Sequence, residues 1–304
     1  MTTAIDHDGL SAPDTKAGKL QRAVLDLLRR HEAEGTIPTN VRFLFYELEQ
    51  AGVVPKSYRN GDGSKRARQP SQDISDATMR LREPGLVPWS WILDETRDVG
   101  ERRYAASAYE YVVDTLPMIR VDCWGGEPPP VVITEARSTK GVLERIAAEY
   151  LAPITAVGGM AAGHIVNGIV PLLADGDRKV LYIGDHEVGG PGDMIEANTR
   201  RYVEEHADCA FTSTDWTRIA LTSAQVARSP RLRALAIDKL DHRYKPPRRY
   251  QAIECEAVGQ ATLERMLRRA LDELLPEPLD TVRVREARQR ERLAAAIARM
   301  GAGR

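Results

Sequence analysis

The sequence predicts an α/β fold in which a helical N-terminal module is followed by a mainly parallel sheet flanked by helices. Three observations carry this. Apolar residues recur at helical spacing in the first part of the chain. From Val131 onward, short β-branched runs alternate with amphipathic stretches, the pattern of consecutive βαβ units. The length of 304 residues leaves room for two domains of ordinary size.

The elements follow in order. "MTTAIDHDGLSAPD" is polar and lacks an apolar core, so it does not read as a secretory signal, and residues 1–15 are expected to form a disordered tail. Leu20, Val24, Leu27 and Leu28 give a helix over Lys16 to Arg30. A second helix follows in "TNVRFLFYELEQAG", capped by Thr39 or Asn40 and ended by Gly52, with Phe43, Leu44 and Leu48 on its apolar face. The loop "RNGDGSKRARQPSQ" breaks the pattern and carries Arg59, Lys65, Arg66 and Arg68. A third helix runs from about Ser71 to Arg82, and "PWSWILDET" reads as a strand. Three helices, a short β element and a basic loop are the parts of a winged-helix DNA-binding module, expected over 16–104. Residues 105–120 read as a helix within a connector, 105–127, and the turn "GGEPPP" precedes the change of character.

The α/β region is expected over 128–258. "VVIT", "ITAV" and "KVLYIG" are its first three strands, and "CAFTST" and "TRIALT" extend the series. "TKGVLERIAAEYL", residues 162–174 and "PGDMIEANTRRYVEEH" are the intervening helices, the last with Pro191 in its first turn. Residues 259–304 supply C-terminal helices, the last of them rich in arginine, with a solvated face, a partner or phosphate as its alternatives.

Composition narrows the classes. No apolar run approaches the roughly 18 residues that a membrane helix needs. Cys123, Cys209 and Cys255 form no C-x-x-C pair and read as buried free thiols. The net charge of −1 gives no global field for nucleic acid, but the charge is uneven. Residues 16–69 hold 11 Lys or Arg against 6 Asp or Glu, whereas residues 175–208 hold 4 against 9. The first region suits phosphate and the second suits cations.

The chemistry is expected at the strand ends, because ligands of open α/β sheets bind outside the carboxyl ends of the strands. "VVIT" runs into Glu135, and "VLYIG" runs into Asp185 and Glu187. Residues i and i+2 of a strand share a side, so Asp185 and Glu187 converge while His186 points away. Three carboxylates in one crevice repel unless a cation neutralises them, and hard oxygen ligands suit Mg²⁺ or Mn²⁺. The competing reading makes Asp185 a turn cap and Glu187 a solvated loop residue.

"VVITEARSTKGVLERIA" together with "VLYIGDHEVGGPGDM" resembles the Toprim domain, with a glutamate after the first strand and a D-x-D motif after the third. The likeness is to the A subunit of topoisomerase VI and its meiotic break-forming relatives, and it covers about residues 128–225. It implies Glu135, Asp185 and Glu187 as Mg²⁺ (or Mn²⁺) ligands at a site of DNA cleavage, with Asp193 as a fourth acid. Two departures stand out: Glu187 replaces the second aspartate, and Gly189 replaces a serine. Those subunits join a winged helix to the Toprim domain and carry a tyrosine nucleophile in a pattern like R-x-x-Y-Y. "RFLFY" matches it at Arg42 and Tyr46, with Phe45 in place of the first tyrosine. A packing role for Tyr46 is the alternative.

The resemblance implies a metal-dependent DNA-cleaving protein, either a nuclease or a topoisomerase VI A-like transesterase, acting on double-stranded DNA. Defence, mobile-element and chromosome-maintenance systems are all compatible with it. It further implies a homodimer, a separate ATPase chain (no G-x-x-x-x-G-K-S/T motif occurs here) and a cytoplasmic, nucleoid-associated location, with no membrane. The alternative is a DNA- or partner-binding Toprim protein with little catalysis; a primase-like transferase ranks last. Arg218, Lys239, Asp241 and Arg243 lie in or near this region; its arginines and lysine are candidates for neutralising phosphate beside the metal, with surface ion pairs as the alternative.

Overall fold

A computed structural model of the chain describes residues 10–93, 103–158, 162–173, 178–187, 191–207, 210–212, 215–242 and 244–301; the side chains of 191–193, 300 and 301 lie outside that description. The first helix, α1 (Lys16–Ala33), starts where the Thr15 hydroxyl accepts the Gly18 amide at 3.0 Å. Its stripe of Leu20, Val24, Leu27 and Leu28 is buried, as the spacing predicts. Residues 10–15 of the expected tail are packed on the helix, and residues 1–9 lie outside the described residues. Leu10 is buried against α1, and the Ser11 amide donates to Gln21 Oε1 at 2.7 Å. Gly18 permits this approach, since a Cβ there would lie 2.1 Å from the Ala12 carbonyl oxygen.

Helix α2 (Val41–Gln50) is capped by Asn40, whose Oδ1 accepts the amides of Arg42 and Phe43 at 3.0 and 3.1 Å. Helix α3 (Pro70–Arg82) opens with proline in its first turn. The strand expected at 88–96 is not formed at its start. Trp89–Trp91 is a 3-10 turn and Ile92 makes an isolated bridge with Thr39, while residues 94–96 lie outside the described residues. The reason is local: Arg82 Nη2 donates to the carbonyls of Trp89 and Ile92, taking acceptors that a neighbouring strand would need. Among the described residues the module is three helices and two isolated bridges, Thr39 with Ile92 and Arg59 with Lys65, without a two-stranded wing after α3.

The connecting helix is shorter than expected. Helix α4 (Ala108–Thr115) gives way to a 3-10 turn at Leu116–Met118, where Pro117 has no amide to continue the ladder. Then come β1 (Val131–Thr134), α5 (Arg137–Glu149), β2 (Ile154–Ala156), and a helical run of α6 (Ala162–His164), a π turn (Ile165–Ile169) and α7 (Val170–Leu173). Next are β3 (Val180–Ile183), β4 (His186–Glu187), α8 (Pro191–Ala207) and β5 (Trp216–Ala220). Four of these strands form a parallel sheet in the order β2-β1-β3-β5. The strand expected at 209–214 is absent from 210–212, where the Phe211 amide donates to Glu204 Oε1 and the Thr212 amide to Asp215 Oδ2 instead of to a ladder. Residues 209, 213 and 214, Cys209 among them, lie outside the described residues.

Both faces of the sheet are covered, which explains why its strands read as continuous apolar runs. Val132, Leu181 and Ile183 pack with Leu143 and Ile146 of α5 and with Leu263 and Leu267 of α11 (Gln260–Asp272). Val131, Ile133, Val180 and Tyr182 pack on the other side with Ile165, Ile169, Leu173 and Val203. The connection after β1 leads to β2 on one side, whereas the one after β3 leads to β5 on the other. The carboxyl ends of β1 and β3 therefore flank the topological switch point.

A second sheet was not foreseen. Past α9 (Ser223–Arg228) and α10 (Pro230–Ala234), β6 (Ile237–Asp241) and β7 (Arg248–Ile253) pair antiparallel, and β7 also pairs with β4, giving the order β4-β7-β6. The chain closes with α12 (Leu279–Gly301). The N-terminal module is not separate from the α/β layer, since Phe43 of α2 lies in the core that contains Val132 and Leu143.

Asn40 joins the two parts, because its Nδ2 donates to the Ser138 carbonyl at 3.0 Å while its Oδ1 caps α2. Asn40→Ala is expected to lower unfolding stability by about 1–2 kcal/mol. Urea titration checks this, and an unchanged midpoint would contradict the capping role.

Candidate functional site

Two acids meet at the switch point. Thr134 and Ile183 are register partners at the ends of β1 and β3, and Glu135 and Asp185 follow them. Glu135 Oε2 accepts the Asp185 amide at 3.0 Å. The residue between β3 and Asp185 must be glycine. A Cβ on Gly184 would lie 2.6 Å from the Tyr182 ring and 2.9 Å from Glu135 Oε2, so any side chain there would push Glu135 away. Burial, then the charge of Asp185, raises the Glu135 carboxyl from 4.5 to about 8, against the pull of the Asp185 amide. Burial, then the charge of Glu256, raises Asp185 from 3.8 to about 6, with the Cys255 amide and Lys239 opposing.

Glu187 is placed differently from the sequence expectation. It shares a side with Asp185, but Lys239 of β6 reaches it. Lys239 Nζ lies 3.1 Å from Glu187 Oε1, 3.4 Å from Glu254 Oε1 and 3.9 Å from Asp185 Oδ2. The three expected metal acids are thus divided: Glu135 and Asp185 meet through a backbone amide, whereas Glu187 faces an ammonium. Among the described residues no group of three or more His, Cys, Asp or Glu side chains is gathered to hold a metal ion. The side chain of Asp193, the fourth candidate, lies outside the described residues. His186 is half-buried and pairs with Ile253 in the β4–β7 ladder.

The segment after β7 supplies residues that sequence reasoning missed. The Cys255 amide donates to Asp185 Oδ1 at 2.9 Å, and its thiol donates to the Gly184 carbonyl at 2.9 Å. Burial holds that thiol well above its usual range. Glu254 is raised by burial and meets Lys56 at 3.4 Å. Glu256 is 0% exposed, and its Oε1 accepts from Ser138 Oγ at 2.6 Å and pairs with Arg42 Nε at 2.7 Å. The signal was present as "ECE" after an extended stretch, but charged residues such as Arg248 and Arg249 obscured the strand before it.

Tyr46 and Arg42 lie on the wall of a cleft of about 920 Å³ between the N-terminal helices and the start of α5. Tyr46 is only 5% exposed, with its ring edge-on to Phe45. Lys56 Nζ is 4.1 Å and the Arg42 guanidinium 5.8 Å from its ring centroid. Lys65, Arg82 and Arg137 add positive charge to the lining, and the opposite wall is Ala136, Arg137 and Ser138, immediately after Glu135. No Asp or Glu lines this cleft among the described residues.

The expected basic loop is largely committed elsewhere. Arg68 pairs with Asp73 and Asp76, Arg59 donates to the Gly63 carbonyl, and Arg66 donates to the Arg59 carbonyl; Lys65 alone of the four lines the cleft. Arg218 is a half-buried structural partner that donates to the Asp185 carbonyl, to Glu196 and to the Leu221 carbonyl. Asp241 is buried, and Arg243 lies outside the described residues.

Glu135 and Asp185 are oxygen donors of the kind a hard divalent cation takes, each resisting ionisation because burial and neighbouring acids disfavour its charge. Glu187, paired with Lys239, does not complete a triad. Comparison with protein-family models, with curated proteins and with solved structures yields no match.

The raised acids set a pH dependence. Between the ordinary and raised values the folded chain holds more protons than the unfolded chain. The stability these groups contribute is therefore present below the unfolded values and lost as pH rises, from 4.5 to about 8 for Glu135 and from 3.8 to about 6 for Asp185. Urea unfolding between pH ~5 and ~8 is expected to show this decline, and Glu135→Gln to flatten it. An identical slope in the variant would rule Glu135 out as the source.

Proposed function

We propose that this chain is a Mg²⁺-dependent DNA-cleaving protein in which Glu135 and Asp185 hold the metal and the basic cleft takes the backbone of double-stranded DNA. The carrying observation is the pairing of Glu135 with the Asp185 amide at the switch point, directly before the Ala136–Ser138 wall of that cleft. The Toprim-like reading draws support from the strand order β2-β1-β3-β5 and from acids after the first and third strands.

When bound, the metal supplies Lewis-acid polarisation of a phosphate oxygen and lowers the pKa of a bound water. The chain's own residues do the rest. Lys65 and Arg137 neutralise phosphate along the cleft, joined by Arg42 and Lys56 where phosphate competes with Glu256 and Glu254, which fixes register without reading sequence. Tyr46 is the candidate nucleophile in the cleft. Its attack forms an Oη–P bond and breaks the bond from phosphorus to a deoxyribose oxygen, which takes up the proton. Attack by water gives free ends instead. A second reading, DNA binding without cleavage, is favoured by Lys239, whose ammonium stands against Glu187 where the resemblance implies a metal ligand.

The test is nicking of supercoiled plasmid in Mg²⁺ or Mn²⁺. Wild-type protein is expected to nick, and Asp185→Asn to lower the rate at least ~100-fold. Protein-linked ends lost in Tyr46→Phe identify the tyrosine; undiminished cleavage in that variant identifies water. Retained DNA binding with no nicking in either metal supports the binding reading and removes the enzymatic one.

A further inference from the structure

The β6–β7 hairpin and the segment leading into it are strongly basic. Residues 228–249 hold 8 Lys or Arg against 2 Asp or Glu, a denser excess than that of residues 16–69. Part of this charge is committed. Lys239 faces the acids, and Arg233 donates to the carbonyls of Val226 and Ala227. Lys245, Arg248 and Arg249 are placed differently. All three are exposed, and among the described residues none of them makes a side-chain hydrogen bond or ion pair.

The ladder fixes where these cations stand. Lys239 is the register partner of Tyr250, and Asp241 is that of Arg248. Strand residues two apart share a face, so Arg248 lies on the face from which Lys239 reaches Glu187 and Asp185. It stands about 7 Å farther along the strand. Asp241, across the ladder from it, is buried and has a partner of its own. Arg249 lies on the other face opposite Leu240, and Lys245 precedes β7 in the turn. Glu254 ties the hairpin to the cleft. Its Oε1 lies 3.4 Å from Lys239 Nζ and its Oε2 lies 3.4 Å from Lys56 Nζ, a lysine of the cleft lining. The cationic cleft and the cationic hairpin therefore meet at one carboxylate, next to Asp185.

We propose that the β6–β7 hairpin is a second phosphate-binding arm, in which Arg248, Lys245 and Arg249 hold the DNA backbone where it passes from the basic cleft over Glu135 and Asp185. The inference rests on the reading of this chain as a protein that takes double-stranded DNA. Acids at the strand ends repel phosphate, and cations on both sides of them offset that repulsion. Contacts from these side chains to phosphate oxygens fix position and carry no sequence preference.

The test is fluorescence anisotropy of a labelled DNA duplex over a series of salt concentrations. EDTA is present, so neither cleavage nor bound metal enters the measurement, and circular dichroism checks folding. Each phosphate contact contributes about 0.9 to the slope of log affinity against log salt. The triple variant Lys245→Gln, Arg248→Gln, Arg249→Gln is expected to bind about tenfold more weakly and to lower the slope by about 2 to 3. Arg288, Arg292 and Arg299 of α12 are also exposed and give a charge-matched control. Their triple glutamine variant is expected to stay within about twofold of the wild type with the slope unchanged. Equal losses in the two triple variants reduce the effect to net charge and overturn the proposal. Wild-type affinity and slope in the hairpin variant, with weaker binding in Lys65→Gln, Arg137→Gln, overturn the arm and leave the cleft reading standing. No binding by the wild type at low salt removes the DNA reading and the arm with it.

Discussion

The hydrogen bond from the Asp185 amide to Glu135 Oε2 is the constraint on which the site depends. It joins the ends of two neighbouring parallel strands across the switch point, and it forms only because Gly184 leaves room for the carboxylate. The same residue begins the exit from one sheet to the other: β3 ends two residues before Asp185, and β4 begins one residue after it. Shifting this register by one residue would turn Asp185 away from the crevice and carry Glu187 off Lys239 together with it. The parallel sheet places two acids, and the antiparallel sheet brings the cation and the remaining acids to them.

The N-terminal helices are anchored on that acid-bearing region. Arg42 pairs with buried Glu256, Lys56 with Glu254, and Asn40 with the Ser138 carbonyl, while Gln50 donates to the Ala257 carbonyl at 2.6 Å. Gln260 at the start of α11 returns the connection through the carbonyls of Thr36 and Pro38. A fully buried carboxylate such as Glu256 is costly unless paired, so removing Arg42 would expose this cost at the joint itself. The cleft is the gap left where these contacts end. Its cationic lining comes from residues flanking the joint, two of which, Arg42 and Lys56, are paired there with Glu256 and Glu254.

What was legible in the sequence follows from the range of the interactions. β1 was readable because a strand buried on both faces is a contiguous β-branched run, and Glu135 and Asp185 stood out as acids at the ends of such runs. The helix α1 was readable from apolar spacing, and α2 from its spacing and its cap. The second sheet was not: β6 and β7 are half-solvated, with charged residues between the apolar ones, and β4 is two residues long. Lys239, Glu254 and Glu256 reach the site only through that sheet, across gaps of 50 residues or more, as the 52 residues between Glu187 and Lys239 illustrate. The basic loop looked like a phosphate surface because its charges are adjacent in sequence, yet Arg68 is spent on Asp73 and Asp76 of the helix that follows it.

The joint also bears on how the two candidate nucleophiles relate. Tyr46 lies on the same helix as Arg42, and Arg42 is bound to Glu256, whose charge is the second largest influence on Asp185. Under the proposed reading, a cation held at Asp185 would weaken the demand that Glu256 makes on Arg42. Arg42, beside the Tyr46 ring, would then be freer to meet phosphate in the cleft. On that reading, metal at the strand ends and phosphate in the cleft would favour each other through Arg42, whether the attacking oxygen belongs to Tyr46 or to water. Lys239 would limit this coupling, because its ammonium already stands against Asp185 and Glu187.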